Sequence, residues 1–362
     1  MDKTEQELLK LHLTPGLGHT ALFKLHAFFN DFSLAAKASA REWRTAGVAE
    51  KLHAGIPDGN AAGYREICRL IDSRQIRLIS FWDQRYPPLL REIHDPPALL
   101  YLRGELPRQE CFAIVGSRRA TTTGLLATRE LAKNLALHDI CVVSGLARGI
   151  DSAAHFGALD ASGKTIAVLG CGIDQIYPRE NTPLAERIKD NGALISEYPP
   201  GTPPLAGHFP GRNRIISGLS HGVLIVEAAE KSGSLITGDF ALEQGRELFA
   251  MPGAVTSSTS RGTNRLLKEG AQLATEATDI LEQLWPGRPD LRAVQKQESF
   301  ADTLSGLALD VYRQVEATPL HCDEIARKCG LTPMELSAIL LDLELQGGIQ
   351  ALPGQRYIRS RL

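Results

Sequence analysis

The sequence predicts an α/β fold with a doubly wound, mostly parallel sheet. Between about residues 74 and 285, short apolar runs alternate with longer stretches of helical periodicity. The runs are apolar along their whole length, which is typical of parallel strands buried on both faces. The eight predicted strands cover residues 76–81, 99–102, 112–115, 140–143, 166–169, 193–195, 223–226 and 248–250. This alternation indicates a Rossmann-like domain over residues 73–285.

A helical N-terminal domain is expected over residues 1–72, where leucine and phenylalanine recur near the helical period. The turn from Thr14 to Gly18 opens the second helix and resembles a SAM-like or helix-hairpin-helix motif. In such a motif, glycine amides at a helix start hold a DNA phosphate. A plain helical turn is the alternative, because few basic residues lie near the turn.

The C-terminal part is expected to be a winged helix. Residues 286–303 lose periodicity and indicate a linker, and residues 304–362 contain three helical stretches followed by a small hairpin. The predicted recognition helix, residues 333–346, carries Glu335, Asp342 and Glu344 but no Lys or Arg. A helix that reads a major groove needs phosphate-neutralising or base-reading side chains. This domain is therefore expected to bind a protein or to pack on the core.

Composition restricts the function classes. The chain has 362 residues, 43% of them hydrophobic and 23% charged, with a net charge of -2, so a nucleic-acid site must be a local basic patch. The six cysteines form no C-x-x-C pair, which favours buried thiols over a disulfide framework or a zinc site. With no signal-like N-terminus and no 18-residue apolar stretch, a cytoplasmic protein without a membrane span is expected.

Glycine-bearing loops follow three successive strands, at residues 116–119, 144–151 and 170–172. In an open parallel sheet, ligands bind beyond the carboxyl ends of the strands, where glycine lets backbone amides approach a phosphate. None of the loops has a dinucleotide-binding G-x-G-x-x-G or a Walker motif, so no cofactor is expected. For any one of these glycine turns taken singly, tight strand-to-helix packing is the preferred explanation. Arg118, Arg148 and Arg179 lie in or near these loops. The glycine-bearing loops and the arginines together favour a binding site for a polyanion.

The segment from His208 to Ser220 is the most informative single stretch. Arg212 and Arg214 flank Asn213 after Phe209 and an expected Pro-Gly turn. Two guanidiniums can clamp phosphates through bidentate hydrogen bonds, and an aromatic ring can stack on a base. The alternative is that the arginines pair with Glu197 and Glu227 and hold the fold. We expect Phe209 and Arg212 to contact DNA, and Arg214 to position them in part.

A further loop, residues 227–238, contains Lys231 near the start of a helix. Ser232 or Ser234 is expected to cap that helix, and Lys231 with the adjacent amides would face a phosphate; a plain N-cap with a solvated lysine is the alternative. No catalytic set is evident, and no histidines have metal-ligand spacing. Asp151 and His155 lie one helical turn apart, but a first-turn Asp that stabilises the helix dipole is the simpler interpretation.

In this order, the motifs resemble those of the DNA-processing protein A (DprA/Smf) family. They are Gly116-Ser-Arg118, Ser144-Gly-Leu-Ala-Arg-Gly-Ile-Asp151, Tyr177-Pro178 with Asn181, Ser196-Glu197, the run from Phe209 to Ser220, Ser232-Gly-Ser-Leu-Ile-Thr237, and Met251-Pro-Gly253. The resemblance covers nearly the whole chain. It implies a non-enzymatic, homodimeric protein of natural transformation that binds incoming single-stranded DNA, protects it, and helps to load the RecA recombinase onto it.

The resemblance also implies where DNA binds. The expected DNA-binding residues are Gly116, Ser117, Arg118, Ser144, Gly145, Arg148, Gly149, Gly207, Phe209, Arg212, Asn213, Arg214, Lys231, Ser232, Gly233 and Ser234. The arginines would hold phosphates, Phe209 would stack on a base, and Lys231 would add charge. Ala206 stands where a basic residue could flank the site. The dimer contact is expected near residues 265–270 and the strand that follows.

Two other functions remain open. The first is a nucleotide-binding or nucleotide-hydrolysing protein related to the cytokinin-activating phosphoribohydrolases, which carry a P-G-G-x-G-T-x-x-E run. The nearest segment here runs from Ser232 to Asp239 and lacks that glutamate, which counts against nucleotide cleavage. The second is a sensor of a nucleotide-derived signal, with the winged helix as its output.

Overall fold

The structure, a computed structural model, describes residues 1–288, 300–301, 303–316 and 319–359. The chain divides into two compact units, Met1–Gly287 and Arg288–Leu362. Most of the expected linker, residues 289–299 and 302, lies outside the described residues. The expected domain boundary at residue 72 falls inside the first unit, and the exact domain limits stay a prediction.

The N-terminal segment is helical, as predicted. Its helices are α1 (Lys3–His12), α2 (His19–Phe29), α3 (Phe32–Lys37), α4 (Ala40–Thr45) and α5 (Ala62–Ser73), with a 3-10 helix at Glu50–Gly55. Asp2 and Glu5 form a capping box that begins α1. The side chain of Trp43 is completely buried, and its Nε1 donates to the carbonyl of Ala35 at 2.8 Å. The phosphate-binding interpretation of the turn before α2 stays a prediction.

A nine-stranded sheet forms the centre of the first unit. Its strands are β1 (Arg77–Ser80), β2 (Leu99–Gly104), β3 (Cys111–Val115), β4 (Cys141–Ser144), β5 (Thr165–Leu169), β6 (Gly192–Ser196), β7 (Gly222–Ile225), β8 (Glu247–Ala250) and β9 (Gln272–Leu273). In space the strands follow the order β1-β2-β6-β5-β4-β3-β7-β8-β9. The seven neighbouring strands that follow β2 in this order all pair in parallel, whereas β2 runs antiparallel to both its neighbours, β1 and β6. The eight predicted strands are confirmed to within two residues; the exposed edge strand β9 is too short for a periodic signal.

Helices cover both faces of this sheet. They are α6 (Pro88–Arg91), α7 (Thr122–Leu137), α8 (Ile150–Asp160), α9 (Thr182–Asn191), α10 (His208–Gly218), α11 (Leu235–Glu243), α12 (Arg261–Lys268) and α13 (Ala277–Leu284). Every residue of β3, β5 and β6 is buried, which explains why these strands are apolar without alternation. The chain moves outward from β3 to β6 and then returns to β7 on the other side of β3. The β3–β7 pair is therefore the topological switch point at which open sheets bind ligands.

The second unit is a winged helix, as predicted. It contains α14 (Gly306–Gln314), α15 (Cys322–Cys329) and α16 (Pro333–Leu345), and a small sheet of β10 (Leu320–His321), β11 (Ile349–Leu352) and β12 (Arg356–Arg359). Val311, Ile325 and Leu343 are fully buried at its core. Among the residues that the structure describes, no helix is long and apolar enough to cross a membrane.

Candidate nucleic-acid interface

A cleft of about 740 Å³ opens at the carboxyl ends of β3 and β7. Three segments supply most of its lining: the loop after β3, the first half of α10, and the segment between β7 and α11. The loops after β4, β5 and β6 add Ala147, Tyr177, Pro204 and Ala206, and α8 adds Asp151. Its lining contains four cationic side chains, Arg118, Arg119, Arg212 and Lys231, and one acidic side chain, Asp151. The cleft is therefore strongly basic, although the chain as a whole carries a net charge of -2.

The loops after β3 and β4 are tied together behind the cleft. Gly149 has a φ of 76°, and a Cβ at this position would clash with the carbonyl oxygen of Ser117, so only glycine fits. The amide of Ile150, at the start of α8, donates to the same oxygen at 3.2 Å. These contacts fix the loop that carries Arg118. The Arg118 side chain is exposed, and its guanidinium has no hydrogen bond or ion pair to any described residue.

The segment expected to be a loop with a Pro-Gly turn is helical, so that prediction was wrong. Helix α10 begins at His208 after the N-cap Gly207, and it includes Pro210 and Gly211. Proline is compatible with the first turn of a helix, where its missing N–H has no intrahelical acceptor. Since residues two apart on a helix point about 200° apart, Arg212 and Arg214 face opposite surroundings.

Arg212 lies under the floor of the cleft and is only 4% exposed. Its Nη1 donates to the carbonyl of Gly145 at 2.6 Å and to the carbonyl of Val168, and its Nε donates to Asn213 Oδ1 at 3.2 Å. Among the described residues, its Nη2 has no hydrogen-bond acceptor. Burial lowers the pKa of Arg212 and the nearby Asp151 carboxylate opposes this effect. An arginine keeps its charge even so, which places a fixed cation beneath the cleft.

Arg214 is paired on the other side of α10. Its Nη1 and Nη2 donate to the two carboxylate oxygens of Glu197 at 2.8 and 2.7 Å, and its Nε donates to Asp95 Oδ2 at 3.1 Å. The structure therefore does not bring Arg214 into the cleft, and the alternative interpretation, a pair between Arg214 and Glu197, is confirmed. The other proposed acid partner, Glu227, instead accepts hydrogen bonds from the amide and hydroxyl of Thr121, at 3.0 and 2.5 Å.

Phe209 is half-buried in the wall of the cleft. Its ring packs directly over Gly170, where an added Cβ would lie 2.9 Å from Phe209 Cδ1. The guanidinium carbons of Arg118 and Arg212 lie 5.3 and 6.0 Å from the ring centroid. These distances are within the range of cation–π attraction, so the ring helps to hold both arginines. A base that stacked on Phe209 would have to share the ring with them.

Arg148 lies in a small recess that adjoins the cleft. It is exposed, and its Nε and Nη2 donate to the two carboxylate oxygens of Glu180 at 2.6 and 2.7 Å. The hydrogen bonds from Arg148 lower the pKa of Glu180, so this carboxylate is ionised at neutral pH. An ion pair between exposed side chains is weak in water, and a phosphate can compete for Arg148.

The segment before α11 presents Lys231, Ser232, Gly233 and Ser234 to the cleft. Ser234 occupies the N-cap position, but no side chain caps the helix, contrary to expectation. The hydroxyls of Ser232 and Ser234 instead bond to each other at 2.8 Å. Asn213 Nδ2 donates weakly to the carbonyl of Gly233, at 3.4 Å, across the cleft. Lys231 is exposed at the rim.

The structure brings together most of the expected site residues. Those that line the cleft are Gly116, Ser117, Arg118, Phe209, Arg212, Asn213, Lys231, Ser232, Gly233 and Ser234, and those that line the adjoining recess include Gly145 and Arg148. Four lie outside both linings: Ser144, Gly149, Gly207 and Arg214. Ser144 is fully buried and donates to the carbonyl of Ile114 at 2.6 Å. Sequence reasoning missed Arg119 and Tyr177, although both stand in the motifs that it singled out.

Asp151 and His155 do not form an acid–base pair. Asp151 Oδ2 accepts from the amides of Gly145 and Ala147 at 3.1 and 3.3 Å, which braces the loop after β4. Burial raises the pKa of Asp151, while Arg212, those amides and Arg118 oppose the rise. His155 is fully buried and its Nδ1 lies 2.7 Å from Thr165 Oγ1. Burial lowers the pKa of His155 to about 3.

Two family models match the chain. The model described as DNA recombination-mediator protein A matches residues 77–285, and the DprA winged helix domain matches residues 295–355. The chain is 44% identical to Protein Smf of Escherichia coli (strain K12) over 284 residues, which cover 76% of this chain and 75% of that protein. It is 45% identical to DNA processing protein DprA of Streptococcus pneumoniae (strain ATCC BAA-255 / R6) over 204 residues, 56% of this chain and 72% of that protein.

Solved structures of two similar proteins can be superposed on this chain. The structure of DprA from Streptococcus pneumoniae matches with a TM-score of 0.68 and 36% identity, over 78% of this chain and 99% of that chain. The structure of DprA from Helicobacter pylori, which was studied for its single-stranded DNA binding mode, matches with a TM-score of 0.54 and 33% identity, over 59% of this chain and 98% of that chain.

Proposed function

The chain belongs to the DNA recombination-mediator protein A (DprA/Smf) family, and on that premise we propose that it binds single-stranded DNA in the β3–β7 cleft. One observation carries the proposal. The cleft at the topological switch point is lined by four cationic side chains and only one carboxylate, although the chain as a whole has a net charge of -2. Phosphate backbones are recognised mainly through such cations. The Helicobacter pylori relative, with its single-stranded DNA binding mode, supports the same assignment.

The DNA-contacting residues have different roles in this proposal. Arg118 and Lys231 are exposed and contact phosphates directly, and Arg148 does so after it leaves Glu180. Arg212, under the floor of the cleft, attracts the phosphates through its fixed positive charge, and its Nη2 is available to donate a hydrogen bond. Phe209 keeps the two guanidiniums in place and offers the rest of its ring to a base. The hydroxyls of Ser117, Ser232 and Ser234, which line the cleft, add hydrogen-bond donors.

The wider role follows the family. We propose that the protein is a homodimer that acts in the cytoplasm during natural transformation, protects incoming single strands, and helps to load RecA onto them. We also propose that it is not an enzyme. Among the described residues that line the cleft, Asp151 is the one carboxylate, and a buried carboxylate that accepts two amide hydrogen bonds is poorly placed to activate water.

One experiment separates this function from nucleotide cleavage. Labelled single-stranded DNA, duplex DNA and mononucleotides are titrated with the full chain at about 50 and 200 mM salt, and nucleotide turnover is measured in parallel. We expect single strands to bind best, with affinity that falls steeply at the higher salt, and no turnover. Turnover without a preference for single strands would instead indicate a nucleotide hydrolase. RecA loading is tested separately, as faster RecA filament growth on strands coated with a single-strand binding protein.

A further inference from the structure

Tyr177 is the most exposed aromatic side chain at the DNA-binding cleft. It lines both the cleft and the adjoining recess, and 44% of it is exposed. Its ring centroid lies 5.8 Å from that of Phe209, with the two planes tilted by 40°. Within the described part of the chain, its hydroxyl has no hydrogen-bond partner. Among the described residues, its one aromatic contact is with Phe209, and no hydrogen bond holds it.

The neighbouring aromatic ring is less accessible. Phe209 packs on Gly170 and lies within 6.0 Å of the guanidinium carbons of both Arg118 and Arg212. Tyr177 has none of these cations over its ring. Arg148, from the loop after β4, lines the same recess as Tyr177. A nucleotide whose phosphate contacts Arg118 or Arg148 would thus have an open aromatic ring beside it.

We propose that Tyr177 is a base-stacking residue that gives the cleft its preference for unpaired DNA. Every base offers a π-face, so a stacking platform accepts any sequence. In a duplex, the faces of the bases are already covered by their neighbours, and a duplex would bring only phosphates to the arginines. The contact therefore favours single strands, whereas the arginines alone would bind either form. This inference rests on the proposed function of the cleft.

The test compares two ligands of equal length. One is single-stranded DNA, and the other is the same deoxyribose-phosphate backbone with reduced abasic sites in place of every base. The full chain, Tyr177→Leu and Tyr177→Phe are titrated with both ligands. Phe28→Leu serves as the control, because Phe28 is a comparably exposed aromatic (51%) in the N-terminal helix α2.

The expected loss is specific to the bases. Stacking of one base on an aromatic ring is typically worth enough to change affinity by roughly tenfold. Tyr177→Leu should therefore bind single-stranded DNA about tenfold more weakly and bind the abasic strand as the parent does. Tyr177→Phe and Phe28→Leu should bind both ligands within about twofold of the parent. With 2-aminopurine in the strand, quenching of its emission on binding should persist in Tyr177→Phe and diminish in Tyr177→Leu.

Two outcomes would overturn the inference. If Tyr177→Leu weakened both ligands equally, the residue would act through the shape of the loop and not through a base. If it weakened neither, no base would stack there. Failure of the parent chain to bind single strands at all is a different result, because it would remove the proposed function itself.

Discussion

Arg214 and Glu197 form a bidentate ion pair behind helix α10, with Nη1–Oε1 and Nη2–Oε2 distances of 2.8 and 2.7 Å. Both side chains are largely buried, at 8% and 16% exposure. Only two residues away, the Arg212 guanidinium lies under the β3–β7 cleft. One short helix therefore joins a structural ion pair on one side to the proposed binding site on the other.

Removal of one partner of this ion pair should lower the free energy of unfolding. Arg214→Ala leaves the Glu197 carboxylate buried and unpaired, which typically costs about 3–5 kcal/mol. The double variant Arg214→Met/Glu197→Leu removes both charges and should be distinctly more stable than Arg214→Ala. Denaturant unfolding measures both differences. An Arg214→Ala protein of parental stability with much weaker DNA binding would show that Arg214 is a DNA contact instead.

Arg118 should contribute affinity without contributing stability. Its guanidinium has a cation–π contact with Phe209 but no hydrogen bond or ion pair to a described residue, so Arg118→Ala should change the unfolding free energy by no more than about 1 kcal/mol. Loss of one phosphate contact should reduce the slope of log affinity against log salt by about 0.7 for a single strand. Arg41→Ala, which removes an exposed arginine from α4, is the control and should leave the slope unchanged. An unchanged slope in Arg118→Ala would contradict the assignment.

Glu180 should compete with DNA for Arg148. Glu180→Gln removes the charge that pairs with Arg148, so single-stranded DNA should bind a few-fold more tightly to this variant. The matched control is Glu66→Gln, because Glu66 holds Arg69 in a similar exposed pair at 2.6 and 2.8 Å on α5. Fluorescence anisotropy at low salt measures the difference. Equal affinity of the Glu180 variant and the parent would mean that Arg148 does not reach the strand.

His155 should make stability depend on pH. Burial lowers its pKa to about 3, against about 6.5 in an unfolded chain, so the unfolded state binds one more proton between these values. This contribution to stability is complete above pH 6.5 and is lost as pH falls towards 3, by at most about 1.4 kcal/mol per pH unit. Urea unfolding from pH 7 to 4 should be less steep in pH for His155→Gln than for the parent. Parallel curves would show that His155 is not buried as a neutral ring.

The winged helix should not read duplex DNA. Helix α16 exposes Met334 and Leu345, at 86% and 78%, and carries three acidic residues with no Lys or Arg. Residues 304–362 alone should therefore show no saturable binding to a duplex at about 0.15 M salt. A fragment with Glu335→Lys and Asp342→Lys is the positive control, since it places phosphate-neutralising charge on the same helix. Strong duplex binding by the unchanged fragment would contradict the expectation that this domain binds a protein or packs on the core.

Several errors of the sequence-based prediction have local causes. Pro210 and Gly211 are typical of a turn, yet proline also fits the first turn of a helix, and packing decides between the two. Strands β9 and β10 have two residues each, which is too few for a period to be visible. Tyr177 stands in a sequence motif that gives no sign of its role, because its exposure and its neighbours depend on the fold.

The amino-acid sequence was sufficient to predict the parallel sheet, the winged helix and most of the segments that meet at the cleft. Those features follow from apolar periodicity and from the rule that ligands bind beyond the carboxyl ends of parallel strands. The surroundings of each side chain, in contrast, depend on how the chain folds. The rotation of α10 turns Arg212 towards the cleft and Arg214 towards Glu197. Gly170, which follows β5, packs on the ring of Phe209, and two guanidiniums lie near that ring. Such contacts join residues that are distant in the chain, and no local pattern specifies them.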